Sequence, residues 1–435
     1  MNKKTVIAVL SASALLFAEA YQVNTLSTKQ LGMGHTGAGQ STIGVEGMHF
    51  NPGGLGLMEN KIDASAGATF ITPRVEINET TAEKGVSTPL YLYAGANVRK
   101  WSFGMSVTTP YGNSAQWDKN WEGAELIQDI SLKVITFQPT VAFNLLNIVG
   151  IGGGVTINTG SFSQSKALVG PGKFTVPPYN ELSVASINLE GDADTKVGFN
   201  VGAMVKVTPF LSAGVGYRSE VKAKVSDGKA KVEYAENFPD DYKPNLLMPN
   251  PLGQYGATVA IFDGTKFEAQ LPLPANLNVG VSFTPKENLL FNFDVQWINW
   301  EAYDTLTLTF RNVDVTQNLK MDLVNPYPKK YENSMAFRLG SQIGLKENFD
   351  LRFGAYFDQT PVPDEYLNPE TPSTNKLGLT TGCSFRPIPL LSIDAAVLYV
   401  RCLGEREIKD NNINGFYGKY NVQAIAPSIG VSFKF

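Results

Sequence analysis

The residues that could do chemistry are few and badly placed for it. The chain holds two histidines, His35 and His49, both ahead of residue 60. A hydrolase built on a barrel needs a histidine base on the wall or rim, and the rest of the chain offers none. A His/Cys metal site lacks its ligands in the same way. Gly32-Met33-Gly34-His35-Thr36-Gly37 fits G-x-G-x-x-G, but a dinucleotide site needs a strand before it, a helix after it and a βαβ unit around both, and none of these is legible. Cys383 and Cys402 sit on two predicted strands joined near Pro387-Ile388. In that hairpin Cys383 faces a residue near Ser392, which leaves Cys402 about 30 Å away at ~3.3 Å per residue, too far for a disulfide. The sequence therefore predicts no enzyme, no metal and no cofactor.

What remains is non-covalent chemistry with apolar molecules. Two predicted long loops are unusually apolar. One carries Tyr111, Trp117, Trp121, Leu126, Ile127 and Ile130; the other carries Phe238, Tyr242, Leu246, Leu247, Met248 and Leu252. Exposed apolar surface of this kind marks a ligand or partner site, or loops packed on each other to close a mouth. Arg352, Lys434 and Asp294 fall on the polar side of their strands, where an arginine meets a ligand carboxylate or a neighbouring acid.

The elements that must hold these residues are strands. Phe291, Phe293, Val295 and Trp297 alternate with Asn292, Asp294 and Gln296. Leu351, Phe353, Ala355 and Phe357 alternate with Asp350, Arg352, Gly354 and Tyr356; Ile429, Val431, Phe433 and Phe435 alternate with Ser428, Gly430, Ser432 and Lys434. Period two means strands with one apolar face. The pattern predicts fourteen: 62–77, 88–98, 101–109, 132–145, 149–168, 184–206, 210–234, 257–283, 289–313, 331–345, 349–358, 376–386, 390–402 and 422–435. Short and long connections alternate, as they do between the periplasmic and outer rims of a bacterial barrel.

Ahead of the strands, Lys3 and Lys4 precede an apolar run from Thr5 to Phe17 and the small-residue site Ala18-Glu19-Ala20. This reads as a secretory signal peptide over 1–20, cut after Ala20 or Ala18. Charged residues make up 17% and hydrophobic ones 43%, with no internal run near the ~18 apolar residues of a membrane helix. That balance fits a transmembrane barrel, in which every second residue faces lipid. A net charge of −4 without a basic block gives nucleic acid no footprint. The fold expected is all-β, a 14-stranded antiparallel transmembrane barrel over 61–435. A barrel of this size is too wide for wall side chains to fill, so the glycine-rich segment 21–60 is expected in the lumen as a small hatch.

Several short motifs, in order, resemble the FadL/TodX family of outer-membrane channels for long-chain fatty acids and aromatic hydrocarbons. Tyr21-Gln22-Val23-Asn24 resembles the family's mature start. Leu31-Gly32-Met33-Gly34 and Phe50-Asn51-Pro52-Gly53-Gly54-Leu55 resemble its plug motif, with Gly53 where Ala is common. Thr109-Pro110-Tyr111-Gly112 with Trp121-Glu122-Gly123, Gly216-Tyr217-Arg218-Ser219, Asp294-Val295-Gln296-Trp297-Ile298-Asn299-Trp300 and Pro361-Val362-Pro363-Asp364 follow. The resemblance implies passive uptake through a groove among the outer loops and a pocket beside the hatch, with release through the wall at a strand kink. It puts Tyr21 at the inner pocket, with Val23, Phe50, Asn51 and Pro52 of the same segment. It also implies a bacterial outer-membrane location, contact with outer-membrane lipid and lipopolysaccharide, and recognition of the terminal Phe435 by barrel-assembly machinery. Nothing in the sequence asks for an oligomer, so a monomer is expected. The alternative is a structural or adhesive barrel whose loops bind a protein partner.

Overall fold

The computed structural model describes residues 20–83, 85–173, 177–240, 247–248, 257–316 and 319–435. Fourteen antiparallel strands close into a barrel. In chain order they are β1 (Ile62–Thr69, continued by Thr72–Ile77), β2 (Leu90–Val98), β3 (Trp101–Gln116), β4 (Asp129–Leu145), β5 (Val149–Val169), β6 (Ala185–Thr208) and β7 (Leu211–Arg218 and Val221–Tyr234). Then come β8 (Lys266–Leu273 and Asn276–Lys286), β9 (Leu289–Ile298 and Thr305–Thr316), β10 (Leu319–Pro328 and Ser334–Lys346), β11 (Phe349–Asp358), β12 (Lys376–Ile388), β13 (Leu391–Cys402) and β14 (Gly418–Lys434). Each strand pairs with the next. β14 returns to β1, from Asp63 opposite Lys434 to Thr69 opposite Ser428, so the barrel has no open edge along this seam.

Alternation decides which side chains face lipid. Phe291 and Phe293 on β9, Val279, Val281 and Phe283 on β8, and Ile429, Val431 and Phe433 on β14 point outward and are exposed, while Asn292, Asp294, Ser428 and Ser432 between them are buried inside. Among the described residues no helix is long and apolar enough to cross a membrane. The wall crosses with strands, the other arrangement that leaves no backbone group unpaired in hydrocarbon.

Several strands run further than the alternation predicted. β3 continues past Pro110 to Gln116, and the residues before Ser334 read as loop in fact form the upper half of β10. Pro326 and Pro328 hide this strand in the sequence. They are tolerated because Leu319–Pro328 pairs only with β9, leaving its other edge without a ladder to break. The stretch read as one strand over 257–283 is instead a 3-10 turn at Val259–Phe262 and a strand broken at Pro274 and Ala275. The cysteines are unpaired, as expected: Cys383 lies opposite Ala395 and Cys402 opposite Lys376.

Residues 20–60 lie inside the barrel. Three single-turn helices, α1 (Thr28–Leu31), α2 (Gly47–Phe50) and α3 (Gly53–Gly56), and the turns between them press backbone to backbone on the wall. A methyl on Gly39 would run into the Gly280 backbone of β8, and one on Gly53 into Gly150 and Ala203 of β5 and β6. Only glycine permits such an approach. This explains why so short a segment fills the lower lumen.

Candidate functional site

Four neighbouring strands break at one level. Arg218, Asn276, Ile298 and Ser334 are aligned across β7, β8, β9 and β10, and each strand is interrupted beside its member of the row. The β9 break holds a 3-10 turn at Trp300–Ala302, followed by Tyr303. The ring of Tyr21, from the N-terminal segment, enters this level. It packs edge-on to Trp300 at 4.7 Å and to Tyr303 at 5.7 Å, and tilts against Tyr111 at 6.4 Å. Its hydroxyl donates to the Pro272 carbonyl, and that of Tyr111 to the Pro274 carbonyl at 3.3 Å. Pro274 lies in the β8 break, outside the ladders that end at Leu273 and resume at Asn276. Burial pushes the Tyr21 phenol well above its ordinary value, so it stays a neutral donor.

Above Tyr21 is an apolar cavity. A water-sized sphere finds about 50 Å3 free within it. Ile130, Leu132 and Val134 of β4, Phe162 of β5, Val225 of β7, Leu271 of β8, and Tyr303 and Leu306 of β9 line it. These strands invert their polarity part-way along. On β9 the lumen-facing Asn292, Asp294 and Gln296 give way to Leu306, Leu308 and Phe310, while lipid-facing Phe291 and Phe293 give way to Thr305, Thr307 and Thr309. On β4 the inward Gln138 and Thr136 give way to Val134, Leu132 and Ile130. The lower lumen is thus polar where the N-terminal segment docks, and the upper lumen is apolar. A strand that leaves the bilayer no longer needs a greasy outside, and its inside can then hold an apolar ligand.

A second cavity, with about 90 Å3 free to a water-sized sphere, adjoins the first. Leu126, Lys166, Leu306, Leu308, Tyr327, Lys329 and Glu370 are among its lining residues. Leu306 and Glu370 border both cavities. Lys329 Nζ bonds Glu370 Oε2 at 2.7 Å, and Lys166 Nζ lies 3.1 Å from the Tyr327 hydroxyl.

The loop residues singled out in the sequence scatter. Trp117 and Trp121 stack 4.3 Å apart at 12°, fully buried, with the Trp121 indole donating to the Ile127 carbonyl at 2.7 Å. They form one buried cluster with Tyr111, Ile127 and Ile130, so most of this loop is packing that closes the mouth. Only Ile130 reaches the inner cavity and Leu126 the outer one. Phe238 packs on Tyr179 and Tyr234 in a separate cluster. Leu247 and Met248 pair as a short strand with Thr258 and Ala257. Tyr242, Leu246 and Leu252 lie outside the described residues.

Of Tyr21, Val23, Phe50, Asn51 and Pro52, Tyr21 alone lines the inner cavity. Val23 donates its N–H to Pro110 O at 2.8 Å and Gly112 donates to Tyr21 O at 2.8 Å, so this stretch pairs with β3 above Thr108, where the β2 ladder ends. Asn51 is structural. Its amide donates to Ala38 O at 2.8 Å and Ala203 O at 3.0 Å, and its side-chain oxygen accepts from Gly53 N at 3.0 Å. Pro52 precedes α3 and presses on Gly152 and Gly202. Phe50 lines a small polar chamber lower down, with His35, His49, Asp294, Gln296 and Arg338. Burial, and after it the nearby Arg338, holds the His35 imidazole well below its ordinary range; burial and then Arg218 do the same to His49. Of the lumenal charges, Arg352 meets Asp350 and Asp394 at 3.8 and 3.7 Å, whereas Asp294 takes the Gly37 and Ala38 amides at 2.6 and 2.8 Å. Among the described residues no cluster of His, Cys, Asp and Glu is arranged to hold a metal.

A closed barrel with a lipid-facing belt and an internal N-terminal segment is the architecture of an outer-membrane β-barrel protein. Residues 8–435 match the family described as outer membrane protein transport protein (OMPP1/FadL/TodX), and the chain belongs to that family. It is 21% identical to the long-chain fatty acid transport protein of Escherichia coli strain K12, over 91% of this chain and 90% of that one. The 47 kDa outer membrane protein of Pasteurella multocida is 20% identical, over 91% of this chain and 90% of that one. The fold is similar to the crystal structure of a Pseudomonas aeruginosa FadL homologue, with a TM-score of 0.76 at 19% identity, covering 96% of this chain and 100% of the other. It is similar also to the Ralstonia pickettii toluene transporter TbuX, with a TM-score of 0.69 at 18% identity, covering 94% and 98%.

Proposed function

We propose that the protein passes long-chain fatty acids or aromatic hydrocarbons inward across the outer membrane by diffusion between stations. The outer cavity receives the ligand, and the inner cavity against Tyr21 holds it. Residues 21–60 act as the hatch below. The observation that carries this reading is the apolar cavity in the upper lumen, lined by inward Leu, Val, Phe and Tyr side chains where the same strands are polar lower down. Burying an alkyl chain or an aromatic ring there yields about 25 cal/mol per Å2 of apolar surface removed from water, with no energy input required. Release follows when Tyr21-Gln22-Val23 leave β3 and expose the wall above Thr108. Export by a signal peptide cleaved near residue 20, assembly through Phe435, contact with lipid and lipopolysaccharide, and a monomeric working state complete the proposal.

The test is uptake of oleate and of toluene by a host lacking its own channel, carrying either the wild-type protein or Ala269→Trp. Ala269 lines the inner cavity, and an indole there fills it. Uptake of one ligand by the wild type, lost in the variant while the barrel still assembles, supports the reading and names the ligand class. Uptake of neither returns the weight to an adhesive barrel.

A further inference from the structure

The outer wall carries a groove that passage through the lumen does not use. Val98, Arg99, Lys100, Trp101, Phe103 and Phe143 line it, and about 570 Å3 of it is free to a water-sized sphere. Arg99-Lys100 is the two-residue turn between β2 and β3, closed by Val98 opposite Trp101. It is one of the short turns, so it lies on the periplasmic rim, beside the inner leaflet. Trp101 and Phe143 pair across β3 and β4 with their rings 4.8 Å apart at 58°, and Trp101 is half exposed. Phe103 and Met105 continue this outward row up β3 into the lipid belt. Ala96 and Ala94 lie opposite them on β2, so that side of the row is low.

Charge singles this turn out. Among the described residues, neither the Arg99 guanidinium nor the Lys100 ammonium has a hydrogen-bond or ion-pair partner. Lys61, at the foot of neighbouring β1, adds a third cation to the same rim; its carbonyl accepts from the Asn97 N–H at 2.8 Å. The acids on either side of Lys61 are turned away: Glu59 bonds Lys206 at 3.2 Å, and Asp63 is buried in the lumen. Other short turns are neutral or self-balanced, with Leu146-Asn147, Thr208-Pro209, Lys286-Glu287 and Lys346-Glu347. Arg386, at the β12–β13 turn, is held by Asp350.

We propose that this groove binds one anionic phospholipid of the inner leaflet. Its phosphate sits on Arg99 and Lys100, and one acyl chain runs up β3 beside Phe103 and Met105. The Trp101 indole lies between them, at the level of the glycerol esters, where a ring with one polar edge and an apolar body fits best. Charge complementarity selects the head. A zwitterionic head brings its own ammonium against two free cations, and a net anionic head does not. The site rests on the outer-membrane placement of the barrel and not on what the barrel transports.

Native mass spectrometry of the full chain tests this, with the protein stripped of lipid in detergent and offered equal phosphatidylglycerol and phosphatidylethanolamine of the same acyl chains. Each cation beside an anionic head is worth about fivefold in binding. Wild type is therefore expected to retain a single phosphatidylglycerol, favoured by about five- to thirtyfold. Arg99→Ser/Lys100→Ser is expected to bring the ratio near one. Trp101→Ala is expected to lower retention of both lipids and keep their ratio. Lys286→Ser/Lys346→Ser removes two cations from other turns of the same rim and is expected to change neither. Heat-modifiable gel mobility reports barrel assembly for each variant. No preference in wild type, or a preference that survives without Arg99 and Lys100, overturns the site. Equal loss in Lys286→Ser/Lys346→Ser reduces it to the net charge of the rim and overturns it too. A mass of two chains without lipid, lost in Trp101→Ala, gives the groove to a second copy and overturns the lipid. Uptake of oleate and toluene is a separate readout: its absence from wild type overturns the transport reading and leaves this site standing.

Discussion

Asp294→Ala should loosen the N-terminal segment. Asp294 is buried, and its Oδ2 accepts from the amides of Gly37 and Ala38 at 2.6 and 2.8 Å. These are charge-assisted bonds to one carboxylate oxygen, worth about 1.5–3 kcal/mol each, or about 3–6 kcal/mol for two. Removing a buried carboxylate also removes its own desolvation cost, which offsets part of this loss. A net weakening of about 2–4 kcal/mol follows, and at about 1.4 kcal/mol per decade amide exchange at Gly37 and Ala38 should quicken by roughly 30- to 1000-fold. Asp294→Asn should be milder. Asp294 Oδ1 has no hydrogen-bond partner among the described residues, so the amide nitrogen can take that position while the oxygen keeps both donors. Exchange mass spectrometry of the segment decides. Unchanged protection at Gly37 and Ala38 in Asp294→Ala would refute the claim that this carboxylate fastens the turn to β9.

Other outcomes follow from the same geometry. Gly280→Val should expel the 37–40 turn from the wall and expose the segment to proteolysis, because the Gly39 backbone lies where the side chain must go. Tyr21→Phe should cost about 1 kcal/mol of segment docking through the lost donation to Pro272 O, read as faster exchange at Val23 and Gly112, with the aromatic contacts intact. Docking should weaken on acidification. His35 and His49 have depressed values in the folded protein, so the released state binds more protons, and stability is lost as pH falls below about 6.5, at up to about 1.4 kcal/mol per pH unit for each histidine. His35→Gln should flatten the dependence of segment protection on pH between 8 and 5; an unaltered slope would show that His35 is not its source.

The site was only partly legible. Tyr21 lines the inner cavity and Leu126 and Ile130 each border a cavity, whereas Trp117 and Trp121 stack on each other and Asn51 is a bracket between Ala38 and Ala203. Composition marks a loop as apolar without saying whether its rings face a ligand or each other. Leu132, Phe162 and Leu306 were missed although a signal was present: the inward row of each strand changes from polar to apolar part-way, which a single alternation per strand conceals.

The sequence by itself determined the barrel. Period two marks which side chains face lipid within the membrane belt, and strand length and turn spacing point to fourteen strands, because both are local features of the chain. The tertiary structure decided the rest. That β7 to β10 break at one level depends on register across four strands, set by long-range pairing. That Lys329, Glu370 and Leu306 meet between two cavities depends on bringing together segments of β9, β10 and the β11–β12 connection whose order in the chain carries no trace of their contact.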